Sequence, residues 1–422
     1  MEIRIEGASQ YVLYLLALCG EVEYSIVLNN GLYAEGYMAN VISRMQKEHL
    51  VRKVTLNREE RKYTLLRLCD PKGAQRLLDL SPALSSHYDL MAGMPGDRLK
   101  GTASHRLRLL KMGMLTSMFY QSGCMVDYFT HRNVQPEEKE RRLRRVQEEE
   151  GDQTGGSQSD FLSSFIREKT IYSLDGNLLA PTDIFSRLGK NDTCFFTSRS
   201  LSNQALEIYK NRRNIMNRMY GILAGGENLY NVYFLFSAGE MWWRDVERQA
   251  MAVTQRYIRN MFPDREQEEG SAIFYVKEED VIKDIFFPPK KVKSRVVPSD
   301  VYAHSYMLPL TANHTDIRTM LLTPDWESKI KQLLMKEHAS QKADLCDGRL
   351  NGYETYILLE SDLTKMMEII PRVKARPSLL IIHAWQEDLV NALYPAAEKI
   401  IFTTEDFEGL VETLQVELED YK

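Results

Sequence analysis

The chain has 422 residues, 44% of them hydrophobic and 27% charged, with a formal net charge of −5. This composition suits a mostly ordered globular protein of roughly two or three domains and excludes a disordered or collagen-like chain. The apolar stretch at residues 11–19 (YVLYLLALC) reads as a core helix, not a signal peptide. No run of about 18 apolar residues occurs, so no membrane span is expected.

Charge is unevenly spread. Residues 41–111 hold fifteen Lys/Arg against seven Asp/Glu, whereas residues 401–422 hold seven acids and one Lys. A basic front and an acidic back suit a protein that turns one face to a polyanion. Cys19, Cys69, Cys124, Cys194 and Cys346 are scattered, with no CxxC pair. A disulfide framework or zinc site is therefore not expected, and a reducing, cytoplasmic compartment is.

From the amino terminus, residues 11–19 predict a buried first helix and residues 23–30 (EYSIVLNN) a short second one. A turn at Gly31 follows. Residues 33–49 predict a third helix, because Met38, Val41, Ile42 and Met45 follow i, i+3, i+4, i+7 spacing. Its other face carries Glu35, Tyr37, Asn40, Ser43, Arg44 and Lys47, side chains that hydrogen-bond base edges or phosphates. Residues 51–56 and 62–68 alternate around a polar turn and predict a β-hairpin. That hairpin carries Arg52, Lys53, Arg58, Arg61 and Lys62.

Helix, helix, helix and hairpin in this order predict a winged helix-turn-helix over residues 1–80. In such a domain the third helix enters the major groove and the hairpin touches the flanking backbone. Tyr37, Asn40 and Ser43 are the expected base readers, and the basic side chains are phosphate candidates. The competing reading is a protein-interaction module, since fold alone does not fix function.

Residues 81–134 predict a helical extension. Its basic residues Arg106 and Arg108 could add phosphate contacts, while its apolar face could pack on the first domain or on a second subunit of a homodimer. Residues 135–160 (QPEEKERRLRRVQEEEGDQTGGSQSD) are charged, then Gly/Ser/Gln-rich, and predict a flexible linker.

Beyond it, residues 161–422 alternate apolar runs with amphipathic segments. Strands are expected at 193–197, 231–237, 271–276, 305–310, 353–360, 378–383 and 399–403. Helices are expected at 241–261, 325–338, 362–371, 386–393 and 405–418. This pattern predicts an α/β domain with a mixed or mostly parallel sheet covered on both faces, giving an α+β and α/β chain overall.

Catalytic signatures are sparse. Gly225-Gly226 lacks the Gly-Lys-Ser/Thr of a phosphate loop and reads as a hairpin turn. His304, His314 and His383 sit near strand ends, where a lone histidine is ordinarily a satisfied structural group. A basic loop spans residues 290–295. No cofactor or metal site is expected, and the chain is read as a non-enzyme.

The segment QYVLYLLALCGEVEYSIVLNNGLYAEGYMANVISRMQKEHLVRK, the charged linker and the α/β carboxy-terminal part together resemble the replication-relaxation family. That family is encoded on bacterial plasmids and integrative conjugative elements. The resemblance implies a DNA-binding accessory factor in replication, relaxation or mobilisation, with replication or mobilisation proteins as partners. Some members look as if their carboxy-terminal domain derives from a restriction-endonuclease-like fold with an acidic strand motif. Here Glu360 is followed by Ser361 and Asp362 rather than by x-Lys, a departure from that motif. Two alternatives stand beside this reading. One is a transcriptional regulator, expected to show a pocket with convergent polar groups. The other is a metal-dependent DNA nuclease, expected to show carboxylates and a lysine converging at a strand edge.

Overall fold

The computed structural model describes residues 7–29, 32–58, 61–69, 71–80, 85, 103–122, 124–127, 171–172, 178–179, 193–197, 219–225, 228–235, 270–287, 302–311, 314–336 and 346–419. The expected turn at Gly31, the linker at 135–160, the helix at 241–261 and the basic loop at 290–295 lie outside the described residues. The chain divides into two compact units. The first comprises Met1–Leu188, Cys194–Arg213 and Asn260–Pro263, and the second Gly189–Thr193, Asn214–Arg259 and Asp264–Lys422. Helices and sheets mix in an α+β chain whose sheets are parallel, antiparallel or both.

In the first unit, α1 (Ala8–Cys19) buries Tyr11, Val12, Leu15, Leu16 and Cys19, as a helix apolar on most sides must. It stops at Gly20, whose φ of 74° only glycine adopts cheaply and whose N–H reaches the Leu16 carbonyl at 2.8 Å. β1 (Glu21–Glu23), α2 (Tyr24–Leu28) and α3 (Glu35–Lys47) follow. The i, i+3, i+4, i+7 set of α3, Met38, Val41, Ile42 and Met45, is its buried face.

His49 ends α3 in the left-handed region at φ 59°. The His49 N–H donates to the Gln46 carbonyl at 3.1 Å and the Leu50 N–H to the Met45 carbonyl at 2.9 Å. This is the Schellman pair, here without the usual glycine.

β2 (Val51–Arg58) and β3 (Arg61–Leu68) then form the expected hairpin, two residues longer in β2 and one in β3 than the alternation predicts. β1 joins the free edge of β3, so the sheet order is β1-β3-β2. Register brings Glu21 opposite Arg67, whose Nε donates to the buried Glu21 carboxylate at 2.8 Å.

α4 (Lys72–Leu80) leaves the hairpin at a close approach. A Cβ on Gly73 would lie 2.2 Å from the Leu50 carbonyl oxygen. α5 (Ala103–Gln121) lies within the stretch 81–134 expected to be a helical extension, of which residues 125–127 form a strand instead, and the Tyr11 hydroxyl meets its Ser117 hydroxyl at 2.7 Å. β4 (Met125–Asp127) runs parallel to the Cys194–Phe196 part of β7 (Thr193–Thr197), and Phe195 stacks on Phe119 with centroids 4.3 Å apart. β5 (Ile171–Tyr172) and β6 (Leu178–Leu179) form a small antiparallel pair.

Among the described residues the second unit holds two sheets rather than one. In the first, β8 (Gly221–Gly225) and β9 (Asn228–Leu235) make a hairpin closed by Gly225 opposite Asn228. The expected turn at Gly225-Gly226 therefore starts where the pattern placed it. β10 (Ser271–Val276) and β11 (His304–Pro309) continue the sheet in parallel from β9. Five of the six residues in each of these strands are buried, and continuous apolar runs are what a parallel strand covered on both faces requires.

α6 (Asp280–Phe286), α7 (His314–Leu322) and α8 (Trp326–Met335) pack around it. In the second sheet, β12 (Gly348–Leu350) is antiparallel to β13 (Tyr353–Ile357). β14 (Ser378–His383) and β15 (Glu398–Phe402) continue it in parallel. α9 (Leu363–Glu368) and α10 (Ile370–Ala375) cross from β13 to β14, and α11 (Glu387–Leu393) crosses to β15. α12 (Thr404–Glu419) ends the described chain. Every residue of β14 is buried. The core around it gathers Tyr356, Leu358, Leu380, Ile382, Val390 and Tyr394.

Candidate nucleic-acid interface and a polar cavity

The side of α3 opposite its apolar stripe is open. Tyr37, Asn40, Ser43, Arg44 and Lys47 are all exposed, Tyr37 at 54%. Tyr37 does not dangle, because its ring lies 6.0 Å from that of Tyr33, itself 6.4 Å from buried Tyr11. The charges on this helix balance. Glu35 occupies its first turn, Arg44 and Lys47 its last, and Glu48 caps it. Acid first and base last also complements the helix dipole, so part of this pattern serves the helix itself.

The hairpin supplies the positive excess. Arg52, Lys53 and Lys62 are exposed, as are Thr55, Asn57 and Thr64 between them. The Lys53 ammonium sits 3.6 Å from the Tyr24 ring centroid, a cation–π contact that ties β2 to α2. The backbones of Arg58 and Arg61 pair at the hairpin end, and Arg106 and Arg108 lie on α5. The side chains of these four arginines fall outside the described residues. Sequence and structure therefore bring one set of expected site residues onto α3 and a second onto the hairpin.

A different group converges in the second unit. Lys365, one turn into α9, donates to the Ile357 carbonyl at 2.6 Å and to Glu360 Oε1 at 2.7 Å, and reaches Asp347 Oδ2 at 2.9 Å. An ammonium has three N–H donors, and all three of these are used. Asp347 also accepts the Ile357 N–H at 2.8 Å and pairs with Lys331 at 3.1 Å. Burial alone would push the Asp347 carboxyl up. The Lys365 ammonium, the Ile357 N–H and Lys331 outweigh it and hold the group below the ordinary carboxylate range. Among the described residues Glu360 has Lys365 as its cationic partner, and burial pushes its carboxyl up to about 7.

Next to this cluster, Asp362 caps α9 by accepting the Thr364 N–H at 3.0 Å. It also accepts the Ser305 N–H at 2.9 Å and meets His304 Nδ1 at 2.8 Å. That partner raises the His304 pKa. By contrast, His314 and His383 are pushed down to about 4 by burial and stay neutral structural groups.

The Asp347 and Asp362 clusters flank a cavity of about 200 Å³. Its walls include Tyr306, Trp326, Glu327, Glu360, Thr364 and Lys365. The sequence singles out His304 and Glu360 separately and does not mark Asp347, Lys331, Asp362 and Lys365 as site residues. The available signal was Asn351-Gly352, with φ of 50° and 84°, a two-residue hairpin turn that sets Asp347 back towards Ile357.

Among the described residues no three His, Cys, Asp or Glu are grouped to hold a metal ion, and no helix is long and apolar enough to cross a membrane. Comparison with known proteins finds no matching family model, curated protein or solved structure.

Proposed function

We propose that the first unit is a winged helix that binds double-stranded DNA, and that the chain serves as a DNA-binding accessory protein of a plasmid or conjugative element. The observation that carries this reading is an open α3 face holding Tyr37, Asn40, Ser43, Arg44 and Lys47, followed directly by a hairpin with exposed Arg52, Lys53 and Lys62. The three helices, the hairpin and the order β1-β3-β2 support it, being the layout in which a third helix reads the major groove and a hairpin lies on the adjoining backbone. The positive excess on the hairpin assigns it most of the phosphate contacts, and the polar middle of α3 the base contacts.

The test is duplex DNA binding by fluorescence anisotropy over a series of salt concentrations, with and without Mg²⁺. Affinity should fall steeply with salt, and no cleavage should accompany it. Arg44→Ala with Lys47→Ala should weaken binding about tenfold and lower the salt slope by about two. Asn40→Ala should weaken binding to the preferred sequence more than to random duplex. Salt-independent binding, or full affinity in both the Arg44/Lys47 variant and a variant with Arg52→Ala and Lys62→Ala on the hairpin, would remove the first unit as the DNA reader.

The alternative of a ligand-sensing regulator is favoured by one observation, the polar cavity of the second unit. The nuclease alternative gains carboxylates and a lysine near the end of β13. There, however, the ammonium saturates its donors on Asp347, Glu360 and Ile357, which makes the cluster an internal ion-pair network.

A further inference from the structure

We propose that the cavity of the second unit binds a small organic cation carrying a flat or compact protonated nitrogen group. The proposal is independent of the DNA reading.

Charge is the first argument. Five carboxylates line the cavity, from Glu327, Asp347, Glu360, Asp362 and Glu368, against two lysines and His304. Even with His304 protonated the walls stay negative. Lys365 and Lys331 pair with Asp347 and Glu360, and His304 with Asp362, so the negative excess falls to Glu327 and Glu368 on the exposed rim.

Shape and surface are the second argument. Tyr306 and Trp326 meet edge to face, with centroids 6.3 Å apart at 75°, and both line the cavity. Aromatic walls beside carboxylates are the recurring environment for an ammonium, amidinium or guanidinium group. The space of about 200 Å³, open to solvent on one side, has room for a small organic group.

The rim adds two exposed acids, Glu327 and Glu368. Glu360, 4% exposed, offers a carboxyl on the same cavity wall. A divalent metal is the weaker fit, because the position between Asp347 and Glu360 is already held by the Lys365 ammonium.

Calorimetric titration of the full chain tests this with benzamidinium, imidazolium and methylguanidinium chlorides, using benzamide, benzoate and MgCl₂ as controls. At least one of the three cations should bind with one-to-one stoichiometry, about tenfold or more tighter than benzamide or benzoate. Glu327→Gln and Glu368→Gln, both on the exposed rim, should each weaken that cation about threefold or more. Both changes are close to isosteric and lie at exposed positions, so the fold should survive, as circular dichroism would verify. Three outcomes would overturn the proposal: no saturable binding of any of the three cations, equal binding of the neutral amide, or unchanged affinity in both variants. Tighter binding of Mg²⁺ than of every organic cation would overturn it too.

Discussion

The two units use the same charged residue types in opposite ways. In the first, Arg44, Lys47, Arg52 and Lys62 project from a helix and a hairpin into solvent. In the second, Asp347, Glu360 and Lys365 are turned inward and satisfied by one another. Exposed pairs are worth about 0–1 kcal/mol and are screened by salt, whereas removing one member of a buried pair costs about 3–5 kcal/mol. Surface charge is therefore available to a polyanion without endangering the fold. Buried charge shapes stability and pH response, and its removal is felt throughout the unit.

The largest effect that would sharpen this contrast is Asp347→Ala. It strands Lys365 beside Glu360 and leaves Lys331 without its carboxylate, and should cost about 3–5 kcal/mol by urea denaturation. Lys47→Ala in the first unit should cost under about 0.5 kcal/mol. Equal losses would break the contrast.

Gly73→Ala should follow, at about 2–3 kcal/mol, because its Cβ would meet the Leu50 carbonyl at 2.2 Å and backbone must shift. Gly36→Ala is the control, with open space around the added carbon. If both substitutions were tolerated alike, the close approach of α4 to the hairpin would be wrong.

Next comes pH. The Glu360 carboxyl rises from 4.5 to about 7 in the fold. The fold therefore binds that proton more tightly than the unfolded chain, and stability falls as pH rises from about 4.5 to 7. His304, raised by Asp362, acts in the same direction. Its contribution is whole below its unfolded pKa of 6.5 and is lost as pH climbs through the higher folded value. Asp347 is lowered, so its contribution is present above 3.8 and lost only as pH falls through the depressed folded value. Between pH 5 and 8 the second unit should lose stability as pH increases. Glu360→Gln and His304→Asn should each flatten that decline in a series of thermal melts, and a rise in wild-type stability over the same range would contradict the assignment.

The smallest expected effect is a gain. His49 holds a left-handed conformation at the end of α3, so His49→Gly should raise stability by about 0.5–1 kcal/mol. A loss at that position would mean that His49 makes a contact worth more than its strain.

How much of this was legible in the sequence follows from distance along the chain. The buried stripe of α3 and the full apolar runs of β10 and β14 were readable because periodicity is local. Three-residue β1 was missed, since Glu-Val-Glu is too short to display a period and becomes a strand only by pairing with β3. α4 was missed as well, although its Leu77 is buried and Leu78 exposed in amphipathic fashion.

The cavity was illegible for a different reason. Glu360 looked unrelated to a lysine because a motif search asks for a fixed short offset. Lys365 reaches it by way of the first turn of α9, and Asp347 arrives by way of a hairpin. Local rules found the elements, while the meeting of Asp347, Glu360 and Lys365 depends on tertiary packing.

Lys365 also has a chemical consequence. Only an unprotonated amine attacks an acylating ester, and the two carboxylates beside Lys365 raise its pKa while its donors are committed. Although 27% of the side chain touches solvent, the nitrogen is a poor nucleophile as long as that corner stays shut. Its rate of acylation, read by mass spectrometry against that of the open Lys47, would thus clock local opening of the second unit without any label being engineered into the chain.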